Sequence, residues 1–78
     1  MPLYYFNVYN DDITIDEEGR ELANDDAARA NAVVEARTMA AETVMQGHLT
    51  GSHRIEYVDS NLKKVGEVRF DEAVEIRE

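Results

Sequence analysis

From Asp25 to Gln46 the chain runs without a glycine or proline, and on either side lie short segments in which apolar and polar residues alternate. A stretch of that length, rich in Ala and free of breakers, has one economical solution in water: a helix of several turns that buries one side. The alternating flanks have the period of two that belongs to half-buried strands. Together they predict an α+β fold of order β-β-α-β-β, one long helix packed on one face of a small antiparallel sheet, with residues 1–78 forming a single domain.

The first strand is expected at Leu3 to Tyr9, where Tyr4, Phe6 and Val8 alternate with Tyr5, Asn7 and Tyr9. Asn10-Asp11-Asp12 is turn chemistry, since short polar side chains that bond their own backbone tolerate tight reversal, and Ile13-Thr14-Ile15 resumes the alternation. Asp16-Glu17-Glu18-Gly19 ends or bulges the second strand, and Leu22 returns to the core. Asn24, Asp25 and Asp26 supply an N-cap and first-turn carboxylates that complement the helix dipole. Gly47 is the expected C-terminal stop, with His48 capping the last helical carbonyls. After the loop His48 to Ser52 come a strand Arg54 to Val58, a turn at Asp59-Ser60-Asn61 and a strand Val65 to Phe70. The tail Asp71 to Glu78 reads either as a short helical turn or as an extension of that strand.

On a helical wheel, Ala27, Ala30, Val33, Val34, Ala40, Ala41, Val44 and Met45 share one arc, which the periodicity assigns to the sheet. Its small side chains would let the helix sit close, with Phe6, Tyr57 and Phe70 filling the space between. Arg37 falls in the middle of that arc, where a guanidinium must snorkel or meet a carboxylate; Glu18, Glu21 and Glu56 are the candidate partners for a structural ion pair. A second strip, Ala28, Ala32, Ala36 and Met39, lies on the flank and would permit close helix-to-helix contact in a homodimer.

With 78 residues the chain buries only roughly 60% of the surface its unfolded form exposes, so most large apolar side chains are needed for folding. The absence of cysteine excludes disulfides and thiolate metal sites and suits a reducing cytoplasm. Met1 to Phe6 is apolar but has no basic region before it and meets Asn7 at once, so neither a signal peptide nor a membrane span is expected. The formal net charge is -9, and the segment from Asp11 to Asp26 carries eight carboxylates answered only by Arg20. A surface of that sign disfavours nucleic acid and anionic membranes and suits a basic protein partner. Asp16, Glu17, Glu18 and Glu21, with Tyr5 and Tyr9 on the open sheet face, are therefore the candidate partner-binding residues.

Catalytic, cofactor and metal sites are not expected. Asp16, Glu18, Gly19 and Asp25 fall near positions of a calcium loop begun at Thr14, but the first ligand would be Thr and the last Asp rather than Glu. His48 and His53 lie five apart with no Cys, too few donors to close a zinc site. Ser52 and Ser60 have no nucleophile elbow around them. Lys63, Lys64 and Arg69 form the only basic grouping, and a nucleic-acid reading would use Tyr5, Tyr9 and Tyr57 for base stacking.

Met1-Pro2-Leu3-Tyr4-Tyr5-Phe6-Asn7-Val8, Asp16-Glu17-Glu18-Gly19-Arg20-Glu21-Leu22, Ala27-Ala28-Arg29-Ala30 and Phe70-Asp71-Glu72-Ala73-Val74-Glu75-Ile76 resemble, nearly end to end, a group of short alphaproteobacterial proteins known only as a domain of unknown function. That resemblance implies a bacterial cytoplasmic protein with no assigned role. The first half, a hairpin, an acidic turn and an Ala-rich helix introduced by aspartates, also resembles the N-terminal domain of HicB-type antitoxins, which sequester a small basic RNA-cleaving toxin. The function expected is thus a noncatalytic protein-interaction module, possible as a homodimer; the alternatives are a toxin-neutralising or regulatory binder of a basic protein and a small nucleic-acid-binding domain, which the charge disfavours.

Overall fold

A computed structural model describes residues 1–77. It shows the α+β architecture: five strands in one antiparallel sheet, one long helix and one short one. The strands are β1 (Leu3–Tyr9), β2 (Ile13–Thr14), β3 (Arg20–Glu21), β4 (Arg54–Val58) and β5 (Lys64–Arg69); the helices are α1 (Asp25–Met45) and α2 (Phe70–Ala73). Their order in the sheet is β2-β1-β4-β5, and β3 pairs with the opposite end of β1 from β2. The expected second strand thus shortens to two residues, and Arg20–Glu21 adds a strand that the alternation did not announce.

Between these two fragments the free edge of β1 would leave a gap. Asp16 fills it: its carboxylate accepts from Phe6 N at 3.0 Å, Glu18 N at 3.1 Å and Gly19 N at 3.2 Å, while its own N–H donates to Asn7 Oδ1 at 2.9 Å. A side chain thus replaces the missing strand, which both satisfies Phe6 N and blunts the edge against further pairing. Gly19, at φ 76, allows the loop to close; a Cβ there would stand 3.0 Å from the Tyr5 ring and 3.1 Å from the Tyr4 carbonyl.

α1 begins as its sequence requires. Asn24 Oδ1 accepts from Ala27 N at 2.9 Å, and Asp25 and Asp26 occupy the first turn. Asp25 also accepts from the Tyr4 hydroxyl at 2.7 Å, tying the helix start to β1. At the other end Gly47, at φ 95, lets the chain leave the helix, and both the N–H and Nδ1 of His48 meet Thr43 O, at 3.1 and 3.0 Å. Phe70, expected in the last strand, instead opens α2, so the tail takes the helical turn of the two readings over Phe70–Ala73; Glu78 lies outside the described residues.

The helix face is the main departure from the wheel. Ala28, Ala32, Ala36 and Ala40 are the residues buried against the sheet, at 0 to 2% exposure, and Met39 packs against them. The strip read as a flank is the core face. Across from it lie Tyr4, Phe6, Ile55, Tyr57, Val68 and Phe70, all buried, with the Phe6 and Tyr57 rings stacked 6.0 Å apart. The large side chains come from the strands and from Phe70 at the start of α2, so only methyl groups fit on the α1 side. Tyr57 lies over Gly66, where a Cβ would stand 2.5 Å from its hydroxyl oxygen. Of the expected arc, Val33 packs at the edge of the core and Ala40 is buried, while Val34, at 60% exposure, Ala41, Val44, at 57%, and Met45, at 88%, face outward.

Candidate interaction surface

The turned helix leaves α1 with two apolar faces, one under the sheet and one uncovered. Residues at spacings of three and four share a face of a helix, so Val34, Arg37, Ala41 and Val44 form one outward stripe with Met45 beside it. Alongside run Leu49, from the loop after α1, and Val74, just past α2. Ala40, Ala41, Val44, Met45, Leu49 and Val74, with the Arg37 stem, enclose an apolar groove of about 360 Å3. Ile76, two residues on, is 81% exposed. Exposed apolar residues scattered singly are ordinary, but a continuous row along one helix, extended by the neighbouring tail, has the composition of a contact surface.

Arg37 lies on this stripe and meets none of the carboxylates expected for it: its Nε donates to Ala73 O at 2.7 Å. The guanidinium caps the carbonyl end of α2, and its stem lies along the groove. The wheel correctly isolated Arg37 as the polar member of an apolar arc; because that arc faces solvent, the residue needs no buried counter-ion.

The expected acidic residues are divided by the structure. Asp16 is committed to the backbone, as described, and although burial alone would push its pKa up, the three backbone N–H donors outweigh this and hold the carboxyl below its ordinary value. Glu17, Glu18 and Glu21 are exposed. Glu17 and Glu18 line, with Phe6, Thr14, Ile15, Asp16 and Glu35, a groove of about 420 Å3 between the β2-β3 connection and α1. Burial, and then the neighbouring Asp16 charge, raise the Glu35 pKa against the opposing effect of Arg20. Sequence reasoning missed Glu35, which is far from the acidic run and enters the groove only because α1 crosses there.

Tyr5 and Tyr9 are half-buried on the sheet face away from α1, opposite Val58 and Arg54 respectively. Arg54 stacks on the Tyr9 ring, 4.5 Å from its centroid, and its Nε binds Glu56 Oε2 at 2.8 Å. Glu56 stands directly opposite Glu67, a repulsive pairing that Lys64 and Arg54 neutralise from either side. That face is therefore a closed network of charge. Lys64 belongs to it, and Arg69 pairs with Asp71 at 2.8 Å, so two of the three residues in the basic grouping already have carboxylate partners.

At one end of the molecule His48 and His53 line a cleft of about 220 Å3 with Asp11, Asp12 and Glu42. His53 Nε2 faces Asp11 Oδ1 at 3.4 Å, and its ring packs edge-on against Phe70. Among the described residues no group of three His, Asp or Glu side chains is placed to hold a metal ion, and no helix is long and apolar enough to cross a membrane.

A family described as a domain of unknown function, DUF6894, matches residues 3–71. The chain belongs to this family. As a DUF6894 domain it has the sheet, α1 and the start of α2 inside the matched region, while Val74, which lines the apolar groove, and Ile76 lie just beyond it. No curated protein and no solved structure matches the chain.

Proposed function

We propose that this protein acts in the cytoplasm as a noncatalytic protein-interaction module whose contact surface is the outward face of α1. The observation that carries this reading is the uncovered row Val34, Ala41, Val44 and Met45 with its groove against Leu49 and Val74. A chain with so small a core gains by burying such side chains internally; leaving them outside is the arrangement of a surface that is covered in use. The test is affinity capture from the native lysate at low and high salt, comparing the tagged wild type with Val44→Glu. A protein retained at high salt by the wild type and lost from the variant supports the module; equal recovery by both refutes it.

A second reading, a regulatory or toxin-neutralising binder of a small basic protein, is favoured by the groove beside Glu35. Phe6 and Ile15 offer an apolar floor for the stem of a Lys or Arg, and Glu17, Glu18 and Glu35 offer carboxylates for its head. Capture that is lost at high salt and in Glu17→Lys/Glu18→Lys, and retained in Val44→Glu, supports this reading over the first. Nucleic-acid binding stays disfavoured by the net charge, by the paired state of Lys64 and Arg69, and by the burial of Tyr57.

A further inference from the structure

We infer that the outward face of α1 is occupied by a second copy of this chain, packed helix to helix in antiparallel fashion about a two-fold axis. The inference rests on the interaction reading above and names the partner.

Charge is the first argument. A protein of net charge -9 repels its own copies, and an interface is tolerated only where the local charges cancel. Seven of the nine net negative charges come from the segment Asp11 to Asp26, eight carboxylates less Arg20. Around the apolar stripe and its tail, by contrast, the charged residues are Arg37 and the pair Arg77 and Glu75, bound at 3.2 Å. That face carries none of the acidic excess.

Shape is the second. The stripe Val34, Arg37, Ala41, Val44 has the three-four-three spacing of a helix seam, and an antiparallel copy brings Val34 opposite Val44 of the second copy and Arg37 opposite its Ala41. The two valine layers close the ends. In the middle, the single methyl of Ala41 leaves room for the long Arg37 stem, while its guanidinium stays on the Ala73 carbonyl, and symmetry makes the contact twice. A parallel pair would instead stack Arg37 on Arg37, with like charges opposed across the seam.

Area is the third. Covering the exposed parts of Val34, Ala41, Val44 and Met45, together with Ile76 of the tail, on both copies removes at most about 1,000 Å2 from water, the lower end of what specific interfaces bury. The dimer should therefore be weak and reversible, with a Kd on the order of 10 µM.

Because the chain has no cysteine, single cysteines report the geometry directly. Sedimentation equilibrium from about 1 to 500 µM should show a monomer-dimer equilibrium, weakened about 100-fold or more by Val44→Glu, which places a charge against Val34 of the second copy. Because Val44 is exposed, the variant should keep its far-UV circular dichroism and, at about 1 µM where both are monomeric, the wild-type melting temperature. Val34→Cys and Val44→Cys, mixed under mild oxidant, should give a disulfide-linked mixed dimer, and neither alone should cross-link comparably. A monomer at the highest concentration overturns the inference, as does cross-linking of Val34→Cys with itself at the efficiency of the mixture. Should the wild type be monomeric while lysate capture still depends on Val44, the second copy is refuted and the interaction module stands; loss of both refutes both.

Discussion

Replacing Asp16 by Ala should cost this domain a large share of its stability, although the residue lies in an acidic loop where carboxylates are otherwise dispensable. Three backbone N–H groups lose their acceptor together: Phe6 N, in the unpaired middle of β1, and Glu18 N and Gly19 N in the loop. A hydrogen bond to a charged acceptor contributes about 1.5–3 kcal/mol, and the part-buried Phe6 N has the least access to water as a substitute. The two loop donors rehydrate easily and add about 0.5 kcal/mol each, giving a total of about 3 kcal/mol. For a chain of this size that lowers the melting temperature by about 15–20 °C, out of a total stability on the order of 4–12 kcal/mol. Because the folded state holds the Asp16 carboxyl below its ordinary value, its contribution is fully present above the unfolded pKa of 3.8 and is lost as the pH falls through the folded one. Urea denaturation followed by circular dichroism should therefore show the gap between wild type and Asp16→Ala narrowing below about pH 4. Glu17→Ala and Glu18→Ala, at exposed positions in the same loop, should change stability by less than about 0.5 kcal/mol. An Asp16→Ala loss below about 1 kcal/mol, or a gap that does not respond to acid, would falsify the claim that this side chain stands in for a strand.

Gly66→Ala should destabilise by about 1–3 kcal/mol, because the new methyl meets the Tyr57 hydroxyl at 2.5 Å within a packed core; a variant that melts with the wild type would show that Tyr57 moves freely. Tyr4 should ionise late. Its hydrogen bond to Asp25, then burial and the carboxylate charges, push its pKa up to about 12, so the stability it lends is present below about pH 10 and disappears as the pH rises through the folded value. Absorbance at about 295 nm followed through alkaline titration should show that late phase in the wild type and not in Tyr4→Phe; an unchanged titration would detach Tyr4 from Asp25.

Much of this architecture was legible in the chain itself. β1 and β4 follow from alternation, the limits of α1 from Asn24 and Gly47, and the aromatic layer from Phe6, Tyr57 and Phe70. These are local signals, set by backbone geometry and by which side chains can satisfy a helix end. β3 and the strand-like use of Asp16 were not legible, because two-residue pairing leaves no period to detect and a carboxylate written among other carboxylates gives no sign of which one meets Phe6 N.

The face of α1 belongs to the second kind. Ala, Val and Met are spread around this helix so evenly that its period fixes that it is a helix and leaves open which way it turns, and a wheel that favours larger side chains assigns Val34 and Val44 to the core. The choice falls to the partner layer. Since Tyr4, Phe6, Ile55, Tyr57 and Phe70 already fill the space over the sheet, the helix can approach only along Ala28, Ala32, Ala36 and Ala40, and close packing turns the valines outward. Sequence alone therefore determined the elements and their order, whereas volume matching between layers, which no local pattern carries, decided which apolar face the protein buries and which it presents.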